Sequence, residues 1–224
     1  QTLFNQFSPG MLTCLTLGLA ATFISEHYGG PVMLYALLFG MAFNFLSEEG
    51  RCLPGVELTS RSVLRIGVAL LGVRITLDQV MALGLWPVLM VVGAVVSTIL
   101  VGWGLARMMG LGRDHGLLSG GAVAICGASA AMALSLVLPR DDKSEQRTIV
   151  TVVGVTTLST LAMILYPVVV SFLSMDNFTA GIFLGGTIHD VAQVVGAGFM
   201  ISTETGDVST LIKLMRVAML VPVV

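Results

Sequence analysis

Residues 116–139 read GLLSGGAVAICGASAAMALSLVLP, and this stretch decides the fold. It is long and apolar enough to cross a bilayer, and no charge interrupts it between His115 and Arg140. Its middle consists mainly of Gly, Ala, Ser and Cys. These side chains are too small to cover the helix backbone where it would face lipid. Small residues let helices approach closely, and they let a helix open so that backbone groups reach a solute. The stretch therefore predicts a membrane segment that faces other helices.

A second stretch, residues 181–202, has the same character and also carries polar side chains. It reads GIFLGGTIHDVAQVVGAGFMIS and places His189, Asp190 and Gln193 inside an otherwise apolar span. A continuous helix would align four of its residues on one face, Gly185, His189, Gln193 and Gly196. Polar residues at this depth are expensive, so they predict a functional site that faces protein or a water-filled cavity. The alternative is a set of structural hydrogen bonds that only locks helices together.

The composition extends the membrane prediction to the whole chain. Of its 224 residues, 55% are hydrophobic and 11% are charged, and the mean hydropathy is +0.95. A soluble domain carries about 25% charged residues. Apolar spans recur along the chain, which predicts an all-α, polytopic membrane protein with seven to eight transmembrane segments. The net charge of −2 and the lack of a basic tract predict no nucleic-acid partner. The spacing of the three cysteines predicts neither a disulfide framework nor a metal site.

The first stretch predicts a helix break between Ile125 and Ser129. A break exposes backbone N–H groups at the N-terminus of a half-helix, where partial positive charge attracts anions. The backbone of Gly127 and Ala128 would then contact the solute, together with the side chains of Cys126 and Ser129. Tight helix packing by small residues explains the same pattern equally well.

Three basic residues are candidates to balance the Asp190 carboxylate, since an isolated carboxylate within a membrane is costly. Arg65 lies in the third apolar segment, while Lys213 and Arg216 lie on one face of the last segment at i, i+3. We expect Arg65 or Arg216 to take this role. The alternative for Arg65 is that its side chain extends to the membrane surface.

Local signals predict where three elements begin. Asp114 is expected to cap the helix of the first stretch, and Asp176 or Asn177 to start the helix of the second. The polar run TETGD, residues 203–207, predicts a turn before the last apolar segment.

An intramembrane enzyme is a further alternative. Cys126, His189 and Asp190 supply a nucleophile, a base and an acid in principle. The sequence contains no G-x-S-x-G or H-E-x-x-H motif, and such trios occur freely by chance. We therefore expect that the protein is not an enzyme, and a membrane scaffold that transports nothing stays a separate alternative.

Four segments of the chain resemble the YeiH family of bacterial inner-membrane proteins, which are regarded as sulfate exporters. The similar segments are residues 64–80, 124–133, 181–202 and 213–222. The most specific motifs are ICGASAA at 125–131 and HDVAQVVGAG at 189–198. The family's usual HEVAQ reads HDVAQ here, which keeps the carboxylate. Family members continue through further hydrophobic segments, so we expect the chain to be incomplete at its C-terminus.

The resemblance also implies a fold. The family is similar to bile-acid/sodium symporters and sodium/proton antiporters, in which two discontinuous helices cross at the centre of a core domain beside a panel domain. The two stretches quoted above would be that crossing pair. We expect a single transmembrane transporter domain over residues 1–224, with a panel part at 1–57 and a core part at 58–224.

These observations together predict a multi-pass secondary transporter of the bacterial inner membrane. It would move a small anion, sulfate or an organosulfonate, by alternating access, with His189 and Gln193 donating to the anion. Asp190 would carry a coupling proton or sodium ion, and no other cofactor is expected. The expected partners are membrane lipid and the anion, and a homodimer stays open. A sodium/proton-type cation antiporter, in which no anion binds, is the alternative.

Overall fold

The computed structural model describes residues 2–29, 32–47, 50–63, 66–67, 70, 84–139 and 141–223. These residues form helices and connecting turns and include no β-strand. The predicted all-helical fold class is therefore confirmed. The chain divides into two compact units, Gln1–Arg74 and Ile75–Val224. The expected panel and core parts stay a prediction.

The first unit contains three α-helices whose bounds the structure describes. They are α1 (Thr2–Tyr28), α2 (Val32–Ala42) and α3 (Leu53–Leu58). A 3₁₀ turn at Asn44–Ser47 follows α2, and a π-helical turn at Thr59–Val63 follows α3. Helices α1 and α3 touch where Gly10 meets Gly55, because a Cβ on Gly10 would lie 2.7 Å from the Gly55 Cα. Arg65 lies outside the described residues.

The second unit contains eight helices among its described residues. They are α4 (Leu85–Met108), α5 (Arg113–Ala124), α6 (Ala128–Val137), α7 (Ser144–Phe172), α8 (Asn177–Thr187), α9 (Val191–Ile201), α10 (Thr203–Ala218) and α11 (Leu220–Val223). Each predicted small-residue stretch is thus two helices. The break between α5 and α6 lies where the sequence predicted it, and the break between α8 and α9 is the discontinuity that the family resemblance implied.

Three helices among the described residues are long and apolar enough to cross a membrane. They are Gln6–Tyr28 within α1, all of α4 and all of α7. Large hydrophobic side chains along them are exposed, for example Leu19, Leu100 and Val168. Such outward-facing apolar surface fits contact with lipid.

Helices α5 and α6 form a hairpin whose two arms lie side by side. Near the tip, Ala122 packs in one cluster with Ala131. Farther out, Leu118 lines one small pocket with Ser135, Leu138 and other residues. In both pairs one residue precedes the break and the other follows it at a similar distance along the chain. Helix α6 therefore runs back along α5. The arms of 12 and 10 residues are about 18 and 15 Å long, so each reaches about half-way through a bilayer core of about 30 Å.

Helices α8 and α9 form a second hairpin, which packs on α10. Gly181 lies against Val208, and Gly185 lies against Ile212, so α8 and α10 run in the same direction. Gly198, near the end of α9, instead lies against Gly206, near the start of α10. Helix α9 therefore runs opposite to both α8 and α10. The expected shared face from Gly185 to Gly196 is wrong, because the break redirects the chain between them.

One long helix separates the bases of the two hairpins. Helix α7 connects them, and its 29 residues span about 43 Å, enough to cross the bilayer completely. The end of α6 and the start of α8 therefore lie next to opposite ends of α7. Each of the two stretches is discontinuous, as expected, and the chain reverses its direction at each break.

The start of α10 corrects another expectation. TETGD at 203–207 forms the first turns of this helix rather than a turn before it. The Ser202 hydroxyl caps the helix by accepting from the Thr205 N–H at 3.0 Å, and Glu204 adds a favourable charge in the first turn. At the start of α8, Asp176 is the cap, as predicted. Asp114 instead lies in the first turn of α5, whose cap position is Gly112.

Candidate functional site

The tip of the first hairpin is a sharp non-helical turn at Ile125–Gly127. Ile125 ends α5 with φ −108° and ψ −86°. Gly127 has φ +67° and ψ −124°, a conformation that a residue with a Cβ rarely adopts. The Gly127 N–H donates to the Ala122 carbonyl at 2.8 Å, which closes the turn. Glycine at this position therefore permits the reversal of the chain.

The tip of the second hairpin is Ile188–Asp190. The Asp190 carboxylate caps α9, because its Oδ1 accepts from the N–H groups of Ala192 at 2.9 Å and Gln193 at 3.4 Å. The Asp190 N–H donates to the Ser159 hydroxyl of α7 at 3.0 Å. Asp190 is thus held both by its own helix and by a spanning helix.

The two tips meet. A Cβ on Gly127 would lie 3.7 Å from the His189 carbonyl oxygen. The His189 imidazole faces the backbone of Val123 in α5. The structure therefore brings together four residues predicted for the site, Cys126, Gly127, His189 and Asp190.

Lys213 joins the two tips from the middle of α10. Its ammonium donates to the Ile125 carbonyl at 2.7 Å and to the Ile188 carbonyl at 2.9 Å. Each carbonyl belongs to a helix end, where no further turn supplies an N–H. The Lys213 side chain is fully buried, with 0% exposure. One ammonium group thus satisfies a free carbonyl from each hairpin.

Arg216, one helical turn farther along α10, also donates to backbone carbonyls of both hairpins. Its guanidinium donates to Val123 and Ala124 at the end of α5, over 2.5–2.9 Å. It also donates to Gly185 at 3.3 Å and Gly186 at 2.6 Å, near the end of α8. The planar fork of a guanidinium suits this task, since its five N–H groups point in fixed directions.

These contacts differ from the expected pairing with Asp190. Arg216 contacts carbonyl oxygens, whereas the Asp190 carboxylate accepts from backbone N–H groups. The physical reason is that a helix end offers several carbonyls with partial negative charge, which attract a cation. A charge-balancing role for Arg216 through space stays a prediction.

The remaining predicted residues lie just behind the tips. Gln193 donates from Nε2 to the Thr160 hydroxyl of α7 at 2.9 Å. At the start of α6, the Ser129 side chain is exposed and Ala128 is half-buried. The cap position, Gly127, supplies no side-chain cap, so no side chain neutralises the partial positive charge there.

Two buried polar atoms at the second tip have no hydrogen-bond partner among the described residues. They are Nδ1 of His189 and Oε1 of Gln193. Buried polar atoms in proteins are normally satisfied, so each of these requires an explanation. A bound solute or ordered water would supply the missing partners.

Sequence reasoning missed part of the site. Ser159 and Thr160 hold the second tip from α7, and Lys213 holds both tips. The polar run in the middle of an apolar segment that contains Ser159 and Thr160 was an available signal. The partners of Lys213 could not be predicted from the sequence, because they lie 88 and 25 residues away in the chain.

The profile of a family described as conserved hypothetical protein 698 matches residues 9–224. No solved structure matches the chain.

Curated relatives are named as membrane proteins. The UPF0324 membrane protein CT0845 of Chlorobaculum tepidum is 60% identical over 99% of this chain and 62% of its own length. A UPF0324 membrane protein of Rhizobium meliloti, RB0971, is 58% identical over 98% and 64%. The UPF0324 membrane protein TauZ of Paracoccus pantotrophus is 53% identical over 99% and 66%. The chain thus spans slightly under two thirds of the length of these relatives.

Proposed function

The chain belongs to the conserved hypothetical protein 698 family, and from this premise we propose that it carries the substrate site of a secondary transporter for a small anion. The transporter would lie in the bacterial inner membrane and cross it several times. Sulfate or an organosulfonate, each a compact oxyanion, is the proposed class of substrate.

The observation that carries the proposal is the positive charge at the junction of the tips. Two buried cations, Lys213 and Arg216, lie there against one carboxylate, Asp190. Two helix C-termini and two helix N-termini also point at the junction, and their half-charges of opposite sign cancel. A net charge of about +1 therefore remains, and a site within a membrane that keeps such a charge favours an anion.

Several groups near the junction suit an oxyanion. The N-terminus of α6 lacks a side-chain cap, so its first N–H groups are available to an acceptor. The unpartnered Nδ1 of His189 serves as a donor when it carries the proton. Gln193 serves less directly, because its amide NH₂ already donates to Thr160.

The hairpins offer a means of alternating access. Their bases lie next to opposite ends of the long helix α7, so in this proposal the hairpins enter from opposite faces and each would block the path from the junction to one face. Movement of one hairpin at a time would open the junction to one side of the membrane and then to the other.

The direct test is sulfate flux in proteoliposomes that contain the intact protein. We expect saturable uptake of radiolabelled sulfate that an organosulfonate inhibits, and we expect Arg216→Gln to raise KM for sulfate at least tenfold. The matched control is Arg107→Gln, at the exposed end of α4, which should keep the parental KM.

Two outcomes would overturn the proposal. The first is the absence of saturable flux for sulfate and for the organosulfonate in properly inserted protein. The second is sodium or proton exchange without any anion requirement, which would instead support the cation antiporter alternative.

A further inference from the structure

We propose that Lys213 is the carrier of the coupled proton, so that this site couples anion movement to protons and not to sodium. The inference rests on the proposed transport function and deepens it. Its basis is the position of one buried ammonium group between the two hairpin tips.

The Lys213 ammonium occupies a place that suits a cation. Lys213 Nζ lies between the Ile125 and Ile188 carbonyls, at 2.7 and 2.9 Å, where two helices end. In transporters with broken helices, carbonyls at such ends are typical ligands of a coupling cation. Here the side chain of the protein itself fills that position. A sodium ion would have to displace a tethered, fully buried ammonium group to bind there.

Of the two buried cations, only Lys213 can change its charge. An arginine guanidinium stays protonated in proteins, whereas a lysine ammonium can release a proton and become an amine. Arg216 therefore supplies the constant charge at the junction, and Lys213 supplies the variable one. In the release step one Nζ–H bond breaks, the electron pair stays on nitrogen, and the proton passes to water at the open face.

Release of the proton from Lys213 would weaken its hold on both hairpin tips. Charge-assisted hydrogen bonds are about twice as strong as those between neutral groups. A neutral Lys213 amine would hold Ile125 and Ile188 more weakly, and the hairpins would separate more easily. The junction would also lose its net positive charge, so the anion would bind more weakly.

Anion and proton affinities are therefore linked. By thermodynamic reciprocity, a proton on Lys213 strengthens anion binding by the same factor by which the anion strengthens proton binding. The anion and the proton then cross the membrane in the same direction.

Other ionisable groups face Lys213 and belong to this coupled set. Cys126 lies at the first tip, His189 and Asp190 lie at the second, and Arg216 lies on the same helix. Asp190, which the sequence predicted to carry the coupled ion, caps α9 through its carboxylate, and in this proposal Lys213 takes the carrier role. His189 is half-buried and has a free Nδ1, which suits the passage of a proton between Lys213 and water.

The experiment measures which gradient drives sulfate accumulation in proteoliposomes that contain the intact protein. We expect a proton gradient, applied without sodium, to concentrate sulfate several-fold, and we expect a sodium gradient at uniform pH to have no effect. Accumulation of sulfate driven by sodium, or saturable sulfate flux that depends on neither gradient, would overturn the inference. The proposed function of anion transport would still stand. Absence of any saturable flux would instead overturn the proposed function, and the inference with it.

Substitutions of Lys213 then test the carrier. Lys213→Arg keeps a permanent charge, so we expect sulfate exchange across the membrane but no accumulation driven by protons. Lys213→Gln should raise KM for sulfate about tenfold or more, and it should also abolish the proton-driven accumulation. The matched control is Lys143→Gln, since Lys143 is the other lysine of the sequence and is exposed.

Proton-driven accumulation at the parental level in either Lys213 variant would contradict the assignment. If neither variant folds, proton uptake by the parental protein decides. When sulfate is added to the detergent-solubilised protein in weak buffer, the protein should take up protons and the pH should rise. An unchanged pH would contradict the inference.

Discussion

At the scale of single residues, Lys213 and Arg216 replace missing backbone N–H groups. A helix that ends within a membrane leaves carbonyls without partners, and lipid supplies none. Two hairpin tips at mid-depth would therefore be costly without donors. The two side chains of α10 supply these donors to both tips at once. The two residues that stabilise the breaks therefore also leave the junction positively charged.

Removal of the guanidinium should therefore destabilise the protein strongly. Arg216→Met leaves carbonyls at the ends of α5 and α8 without a donor, at about 1–3 kcal/mol for each unsatisfied group. We expect a loss of more than about 3 kcal/mol in the free energy of unfolding in detergent. Arg107→Met, at an exposed position, should change it by less than about 0.5 kcal/mol. Equal stability of the two variants would contradict the role of Arg216.

The sequence allowed prediction of which polar residues matter but not of their partners. His189 and Asp190 are conspicuous because polar groups are rare in apolar segments. Asp190 looked like a charge in need of a cation, yet it caps the helix that begins one residue later. A carboxylate can either cap a helix or pair with a cation, and the sequence shows the same aspartate in both cases. The location of the break at Ile188–Asp190 is needed to tell the two roles apart.

At the scale of elements, glycine at the first tip determines the hairpin. Gly127 has positive φ, and a Cβ there would lie 3.2 Å from the Val155 Cγ1 of α7. A side chain at this position therefore meets both backbone strain and a close neighbour. Other glycines of the same segment serve a different purpose. Gly116 and Gly120 let α5 approach the backbone of α4 near Gly102.

Gly127→Ala should destabilise the fold and impair the junction. Backbone strain of this kind costs about 1–3 kcal/mol. The comparison is Gly154→Ala, an exposed glycine within α7 where a Cβ has open space. That change should raise stability by up to about 1 kcal/mol, because alanine favours helix. The measurement is unfolding in detergent, and a Gly127→Ala protein as stable as the parent would contradict the strained tip.

The cap of α8 gives a dependence on pH. The Asp176 carboxylate accepts from the Thr179 N–H at 2.9 Å, and this backbone hydrogen bond lowers the pKa of Asp176 from its ordinary value of 3.8. Because the pKa is lower in the folded state, the stabilisation is present above pH 4 or so and is lost as pH falls through the lowered value. Asp176→Ala should therefore lower Tm at pH 7.

The difference in Tm between the parent and Asp176→Ala should shrink as the pH falls below about 4, since the cap then loses its charge in both folded and unfolded states. Asp176→Asn serves as the control, because asparagine caps a helix without a titratable group. A difference in Tm that is constant from pH 7 to pH 3 would show that the charge of Asp176 does not stabilise α8.

At the scale of the whole molecule, hydropathy predicted the helices and small residues predicted the breaks. The path of the chain through the membrane could not be predicted in the same way. A 24-residue apolar stretch has the length of one crossing, and two half-depth arms have the same length. The choice between them depends on contacts such as Leu118 with Ser135, which sequence periodicity does not contain.

The most direct test of the account determines which face of the membrane each hairpin base occupies. Four exposed positions serve as single-cysteine sites in a protein without its native cysteines, and a membrane-impermeant maleimide is applied to oriented vesicles. The substitutions are Gly112→Cys, Asp142→Cys, Ser174→Cys and Thr203→Cys. A topology with the two hairpin bases at opposite faces predicts that the first two react from one face and the last two from the opposite face. Reaction of Gly112→Cys and Asp142→Cys from different faces would contradict it.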